Sequence, residues 1–399
     1  MKILLRIARW LVTGILIVLA GGLTVLYVID PVLTVRLLTM NQGPEARVAG
    51  GEIIDIPVLP ENRRTIDPAA LEAAVKYGDE TNSHALIVYR SGSIELEHYY
   101  PGYNRDTITP TQSMHKSVLA MLVGIAIDQG FIPSVDTPAS TYLTEWANDE
   151  RSKITIRQML QQVSGIDFDS FSPDITSGFF QLMLGDNIRP VALNNGVLFP
   201  PDTEFDYNSV NPEALGILIE RATGQAYADY LSSALWQHIG APDAAVVLDS
   251  DEHRMARTFC CLQATARSWL NVGLLHLQGG KLGDKQVVPA AWIKAIETPG
   301  KLQPNYGYLT WLGSEWSEYR YYNRKTSTRV LHSEAFAAPD VIYFDGMGGQ
   351  RVYIIPSAKM IIVRTGELAL DWDDSRLPNI LLRGMYSSTA ADSPETANR

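Results

Sequence analysis

The chain has 399 residues, of which 46% are hydrophobic and 19% charged, and its formal net charge is −11. Those proportions belong to a packed globular protein and exclude a disordered or low-complexity chain. The acidic balance, with no Lys/Arg-rich stripe in the body, argues against nucleic acid as a partner, since binding it requires neutralising backbone phosphates.

Lys2, Arg6 and Arg9 precede the uncharged apolar run Trp10–Ile29, which is long enough for one crossing of a bilayer. Positive charges held on the cytoplasmic side would send the body to the periplasmic or extracellular side. The small residues Leu19–Gly22 (LAGG) sit mid-run and not at its end, so residues 1–30 read as an uncleaved, single-pass anchor and not as a signal peptide. The expected lipid-bilayer contact is residues 10–29. Residues 31–65 mix Pro, Gly and polar residues and read as a stalk or lead-in. Residues 66–386 read as one catalytic-sized domain, and the small, polar stretch 387–399 as a flexible tail.

Within the domain the pattern is mixed α/β. Pro68–Tyr77 reads as a helix. His84–Tyr100 reads as two strands around a turn at Ser91–Gly92. Met114, Val118, Leu119, Leu122, Val123 and Ile127 recur at helical spacing before Gly130, which predicts a largely buried helix. Residues 131–240 are expected to be helices and loops, with helices at Ile154–Val163, Asn211–Ala222 and Tyr227–Ile239. Strand-like runs return at Tyr306–Leu312, Val341–Phe344, Arg351–Ile355 and Met360–Thr365, and Leu377–Met385 suggests a closing helix. Strands at both ends with helices between them predict one sheet built from both ends of the domain and an inserted, mainly helical subdomain. The two cysteines, Cys260 and Cys261, are adjacent. Neighbours rarely reach disulfide geometry, so they read as small buried residues.

Three stretches carry chemistry. Ser113-Met-His-Lys116 places a hydroxyl and an amine on one helical face. A desolvated Lys can take the proton that a Ser nucleophile must lose, although the bare pattern also fits a capping Ser beside a solvated Lys. Tyr207, in FPPDTEFDYNS, is either a proton shuttle, its phenol made more acidic by a nearby ammonium, or a structural Tyr at a domain seam. Phe344–Gln350, rich in glycine, is either a hairpin turn or a backbone N–H cradle for an oxyanion. The seven histidines form no HExxH or close metal pair, so zinc is not expected. His115 should point away from Ser113, either packing within the helix or supporting the site from behind.

Together these stretches resemble the penicillin-recognising serine hydrolases, on the branch holding class C β-lactamases, D-alanyl peptidases, carboxylesterases and 6-aminohexanoate-dimer hydrolases. The resemblance covers roughly residues 68–386 and extends to Ile154–Ile166, Phe199–Gly224 and Tyr306–Trp311. It implies a β-lactamase/transpeptidase-like α/β fold, in which an antiparallel sheet from both chain ends is flanked by helices. It implies Ser113 as acylated nucleophile, Lys116 as its partner, and Tyr207 as the Tyr of a Tyr-x-Asn element whose third residue here is Ser209. It implies that Gly346 closes the triplet Phe344–Gly346, and that Met347 N–H joins Ser113 N–H as oxyanion donor.

Ser209 lacks the two-donor amide of Asn, and the triplet lacks the cation that greets a substrate carboxylate. Both departures turn the expectation from β-lactams and D-Ala-D-Ala peptides, which remain the alternative, towards a small-molecule carboxylic ester or small amide. A non-catalytic envelope-binding module is the remaining rival. No cofactor is implied.

Overall fold

A computed structural model describes residues 2–313, 315–323 and 326–385; the tail expected at 387–399 lies outside them. The central sheet has six antiparallel strands, in the order Ser93–Tyr99, Ser83–Arg90, Met360–Gly366, Gln350–Ile355, Ile342–Gly346 and Trp311–Leu312. The strand Ser83–Arg90 pairs with Met360–Gly366, so the two ends of the domain meet in mid-sheet.

The sheet is covered on both faces, and the two-residue period of a strand sorts its side chains between them. Ile87, Val352, Ile354, Ile361 and Val363 join the large core that includes Leu274 of the helix Ala266–Leu277. Their neighbours Leu86, Val88, Tyr353, Ile355 and Ile362 face the second core, with Leu71 of the helix Pro68–Glu80 and Leu377 and Leu381 of the helix Arg376–Arg383.

The inserted helical part holds Ile156–Leu160, Gly178–Leu184, Ile188–Leu193, Val210–Thr223 and Tyr227–Ala234. At its centre runs His115–Asp128, whose residues from His115 to Ala126 are all buried. A helix apolar on nearly every side belongs inside a core, and this one carries Lys116 in its first turn.

Three expectations needed correction. The helix expected over Ile154–Val163 shortens to Ile156–Leu160, opened by a Thr155/Gln158 capping box. It stops because Gln162 takes a left-handed φ of 59° and turns its amide to Asn208 and Asn211. The strand expected over Tyr306–Leu312 contracts to Trp311–Leu312, because a turn with Leu309 at φ 47° and a Gly307 N–H to Thr310 carbonyl bond occupies the rest. The segment 31–65, expected as a stalk or lead-in, lies against the domain. It holds the helix Pro31–Thr39 and the strand Glu45–Val48, which pairs with Ala244–Val247. That strand belongs to a second sheet, of four short strands with Leu262–Thr265 and Ile108–Pro110, which the sequence pattern does not announce. Cys260 and Cys261 are buried as expected, but they are recorded as a vicinal disulfide.

Candidate active site

Ser113 lies in the single 3-10 turn Gln112–Met114, which runs directly into the central helix. Gln112, one residue earlier, is held at φ 51°, a conformation that L side chains rarely adopt. Backbone strain of this kind persists only where the surroundings enforce it. Thr111 supplies part of that restraint, its buried hydroxyl donating to Leu262 O at 2.8 Å.

Lys116, one turn on, is 1% exposed. Its Nζ donates to Ser113 Oγ at 2.7 Å and to the carbonyl of Phe259 at 2.5 Å. The same nitrogen lies 5.1 Å from the centre of the Tyr207 ring and 5.8 Å from that of Phe259. Burial penalises the ammonium and lowers its pKa to about 7, against the opposing pull of Asp345 and Glu213. An amine poised there is free to accept a proton from Ser113 at neutral pH.

Tyr207 is buried just ahead of the helix Val210–Thr223, with its ring 5.1 Å from Tyr322 and 5.8 Å from Trp311. The sequence suggested a phenol made more acidic by a neighbouring ammonium. The structure reverses that sign. Desolvation pushes its pKa well above the ordinary value, reinforced by Tyr306 and Asp345, and a hydrogen bond with Ser113 offsets little of it. With Lys116 itself inclined to neutrality, no strong cation remains to draw the proton off. Tyr207 is therefore a hydrogen-bond donor that keeps its proton.

Ser209 is buried at the start of the same helix, its N–H bonded to Ser170 Oγ at 2.7 Å, and both residues line the cavity with Ser113 and Tyr207. Phe344–Gln350 is indeed a hairpin turn, since Gly346 pairs with Gln350 across Met347–Gly349. It is also part of the site. A side chain on Gly346 would come 2.4 Å from the carbonyl of Thr111, so only glycine lets the strand end lie against the turn that carries Ser113. Met347 stands at the rim of the same cavity, whose volume is about 350 Å³.

Phe344 stands where the resemblance would place a cation, and Asp345, the middle residue of the triplet, is buried in a four-charge cluster. Arg320 reaches Asp345 Oδ2 at 3.0 Å and Asp374 at 2.9 Å; Arg351 reaches the same two carboxylates at 2.5 and 2.8 Å. The Tyr322 hydroxyl donates to Asp345 Oδ2 at 2.7 Å.

Two participants escaped the sequence reading. The carbonyl of Phe259 is a main-chain group, which no residue type advertises. Glu213 fixes that stretch: its Oε2 accepts from Thr258 N at 2.8 Å, Thr258 Oγ1 at 3.1 Å and Phe259 N at 3.3 Å. Burial raises its carboxyl pKa to about 7. The signal for it was an acid set among the apolar residues Ala214, Leu215, Ile217 and Leu218 of the helix. His115 points away from Ser113, as expected. It bonds Cys260 O through Nδ1 and Tyr227 through Nε2, and burial lowers its pKa to about 4.

A family model for beta-lactamases matches residues 71–366. The chain belongs to the beta-lactamase family. Membership brings the fold and serine-hydrolase-type chemistry in general. Among curated relatives, the 6-aminohexanoate-dimer hydrolase of Paenarthrobacter ureafaciens is 28% identical over 233 residues, which cover 56% of this chain and 59% of that one. The match thus spans little more than half of that relative's length.

Among solved structures, a protein assigned as a 6-aminohexanoate-dimer hydrolase from Bacillus anthracis superimposes with a TM-score of 0.67 at 20% identity, covering 87% of this chain and 90% of the other. A family VIII carboxylesterase gives 0.59 at 17% identity, covering 82% and 98%. At such identities the structural neighbours establish the beta-lactamase fold and nothing finer.

Proposed function

We propose that this member of the beta-lactamase family hydrolyses a carboxylic ester or small amide through a Ser113 acyl-enzyme. The observation that carries the reading is a buried amine, Lys116, held 2.7 Å from Ser113 Oγ and inclined to be neutral near pH 7. Ser113 Oγ bonds to the substrate carbonyl carbon as Lys116 takes its proton, and backbone N–H groups at Ser113 and Met347 receive the oxyanion. The C–O or C–N bond then breaks, and the leaving group takes that proton back from Lys116 while Tyr207 donates a hydrogen bond without giving up its own proton. Water attacks the acyl-enzyme by the same route, which frees Ser113 and releases the acid.

A carboxylate-bearing substrate is disfavoured. The triplet presents Asp345, and the nearby arginines are already committed to Asp345 and Asp374. Sequence likeness to a 6-aminohexanoate-dimer hydrolase supports the ester or amide reading.

The helix Lys2–Ile29 contains one stretch, Arg9–Ile29, long and apolar enough to cross a membrane. In this reading it anchors the enzyme, with the domain on the periplasmic or extracellular side. Leu26, inside that stretch, packs against Leu33 and Leu184 of the domain, which favours an anchor retained over a signal removed.

Intact mass after exposure to a fluorophosphonate tests the proposal. One adduct on the wild type and none on Ser113→Ala is expected, with activity lost by at least about 10⁴-fold in the variant. A well-folded wild type that takes no adduct would sink it.

A further inference from the structure

The helix Gly178–Leu184 has two neighbours. On one side it meets the membrane segment: Leu184, with Phe180 and Met183, packs on Leu26 and Leu33. Polar bonds lock the same junction. Gln181 donates to Asp30 Oδ2 at 2.9 Å, and Arg36 donates to the carbonyls of Leu184 and Gly185 at 3.0 and 2.8 Å. On the other side Phe179 and Met183, four residues apart and so on one face, line the cavity that holds Ser113. Met183 thus belongs to both contacts, and one short helix links the membrane segment to the cavity wall.

The far wall of the cavity is apolar and unusually bare. Met347, Leu368 and Leu370 all line it, yet they are 51%, 55% and 88% exposed. Apolar side chains left in water around a ligand cavity mark a surface that something apolar covers. An apolar layer is close at hand, because the helix Gly178–Leu184, which lines the cavity through Phe179 and Met183, also packs on the membrane segment.

We propose that the substrate is an amphiphilic carboxylic ester resident in the bilayer, and that its acyl chain enters between the helix Gly178–Leu184 and the loop carrying Leu368 and Leu370. This rests on the hydrolase reading and adds to it the substrate class and the direction of entry. The chain lies along Phe179 and Met183 on one side and Leu368 and Leu370 on the other, and the ester carbonyl reaches Ser113. Hydrolysis then releases a fatty acid and an alcohol, with water as the only co-reactant.

The test uses the full-length protein in vesicles of diether phosphatidylcholine, which offers no ester of its own. Methylumbelliferyl palmitate and butyrate are the substrates, and fluorophosphonate labelling is run alongside. The palmitate should be preferred in kcat/KM by more than about tenfold, given about 0.8 kcal/mol for each methylene buried. The double variant Leu368→Asn/Leu370→Asn should lose about tenfold on palmitate, while butyrate stays within about twofold. Preference for butyrate, or equal loss on both esters, with labelling of Ser113 intact, would overturn the lipid substrate and leave the hydrolase standing. No turnover and no label would overturn both.

Discussion

The site has two charged halves that are equally buried and chemically opposite. On one side Lys116, 1% exposed, makes contact with a hydroxyl and a carbonyl, and its two carboxylate influences, Asp345 and Glu213, act at a distance. On the other, Arg320 and Arg351 contact both Asp345 and Asp374, two cations on two anions. Burial alone would push every one of these groups towards its neutral form. Direct pairing decides which of them give way: Lys116 is left inclined to lose its proton, while Arg320, Arg351 and Asp374 are held in their charged forms and the cluster serves as scaffold.

Breaking each half should therefore have opposite signatures. Lys116→Met should lower kcat/KM by up to about 10⁴-fold at neutral pH, the range for a general base. It should leave the thermal midpoint unchanged or raised, since it removes an unpaired buried amine of similar length. Between about pH 7, the folded value, and the ordinary lysine value, the unfolded chain binds the extra proton. Wild-type stability should accordingly rise with pH across that window, and the rise should vanish in the variant. A variant that melts well below wild type would mean that Lys116 is structural.

Asp345→Asn should do the reverse, destabilising the fold by about 3–5 kcal/mol because two arginines lose a partner. Urea unfolding followed by tryptophan fluorescence measures this. A loss under about 1 kcal/mol would show that Asp374 alone suffices to hold both guanidinium groups.

Tyr207 sharpens the comparison from between the halves. Because burial raises its pKa, it should act only as a donor, and Tyr207→Phe should cost about 10²-fold in acylation. The alkaline side of the pH–rate profile should keep its shape in the variant up to about pH 10, the ordinary tyrosine value. Loss of an alkaline limb below that would show the phenol titrating in the working range.

How much of this was legible follows from which groups the chemistry uses. The sheet and its central helix announced themselves through period and length: Ile87, Val352 and Ile361 alternate, and Val118, Leu119 and Leu122 recur on a helix. Ser113 and Lys116 were legible because one turn of helix places them together. The four-strand sheet was hidden because strands as short as Ile108–Pro110 hold too few residues to show a period. The sign of the Tyr207 shift was hidden because desolvation depends on Tyr306, Trp311 and Tyr322, far along the chain. The arginine cluster was hidden for the same reason: Arg320, Asp345, Arg351 and Asp374 converge only after folding.

The smallest effect probes the link between the two halves. Glu213 holds Phe259, whose carbonyl holds Lys116, and any charge on Glu213 raises the Lys116 pKa. Among the described residues its Oε1 has no hydrogen-bond partner while Oε2 takes three bonds, an arrangement that glutamine can mimic with its carbonyl oxygen. Glu213→Gln should therefore keep the Phe259 loop in place and move the acid limb of kcat/KM to lower pH, by less than about one unit. The limb rises with pH because neutral Lys116 is the active form, so a lower Lys116 pKa extends activity into acid. An unmoved limb would mean that Glu213 is already protonated there and acts by geometry alone. A limb moved upwards would mean that the variant has disturbed the burial of Lys116, and then the low pKa of that amine belongs to the Phe259 loop as much as to the helix.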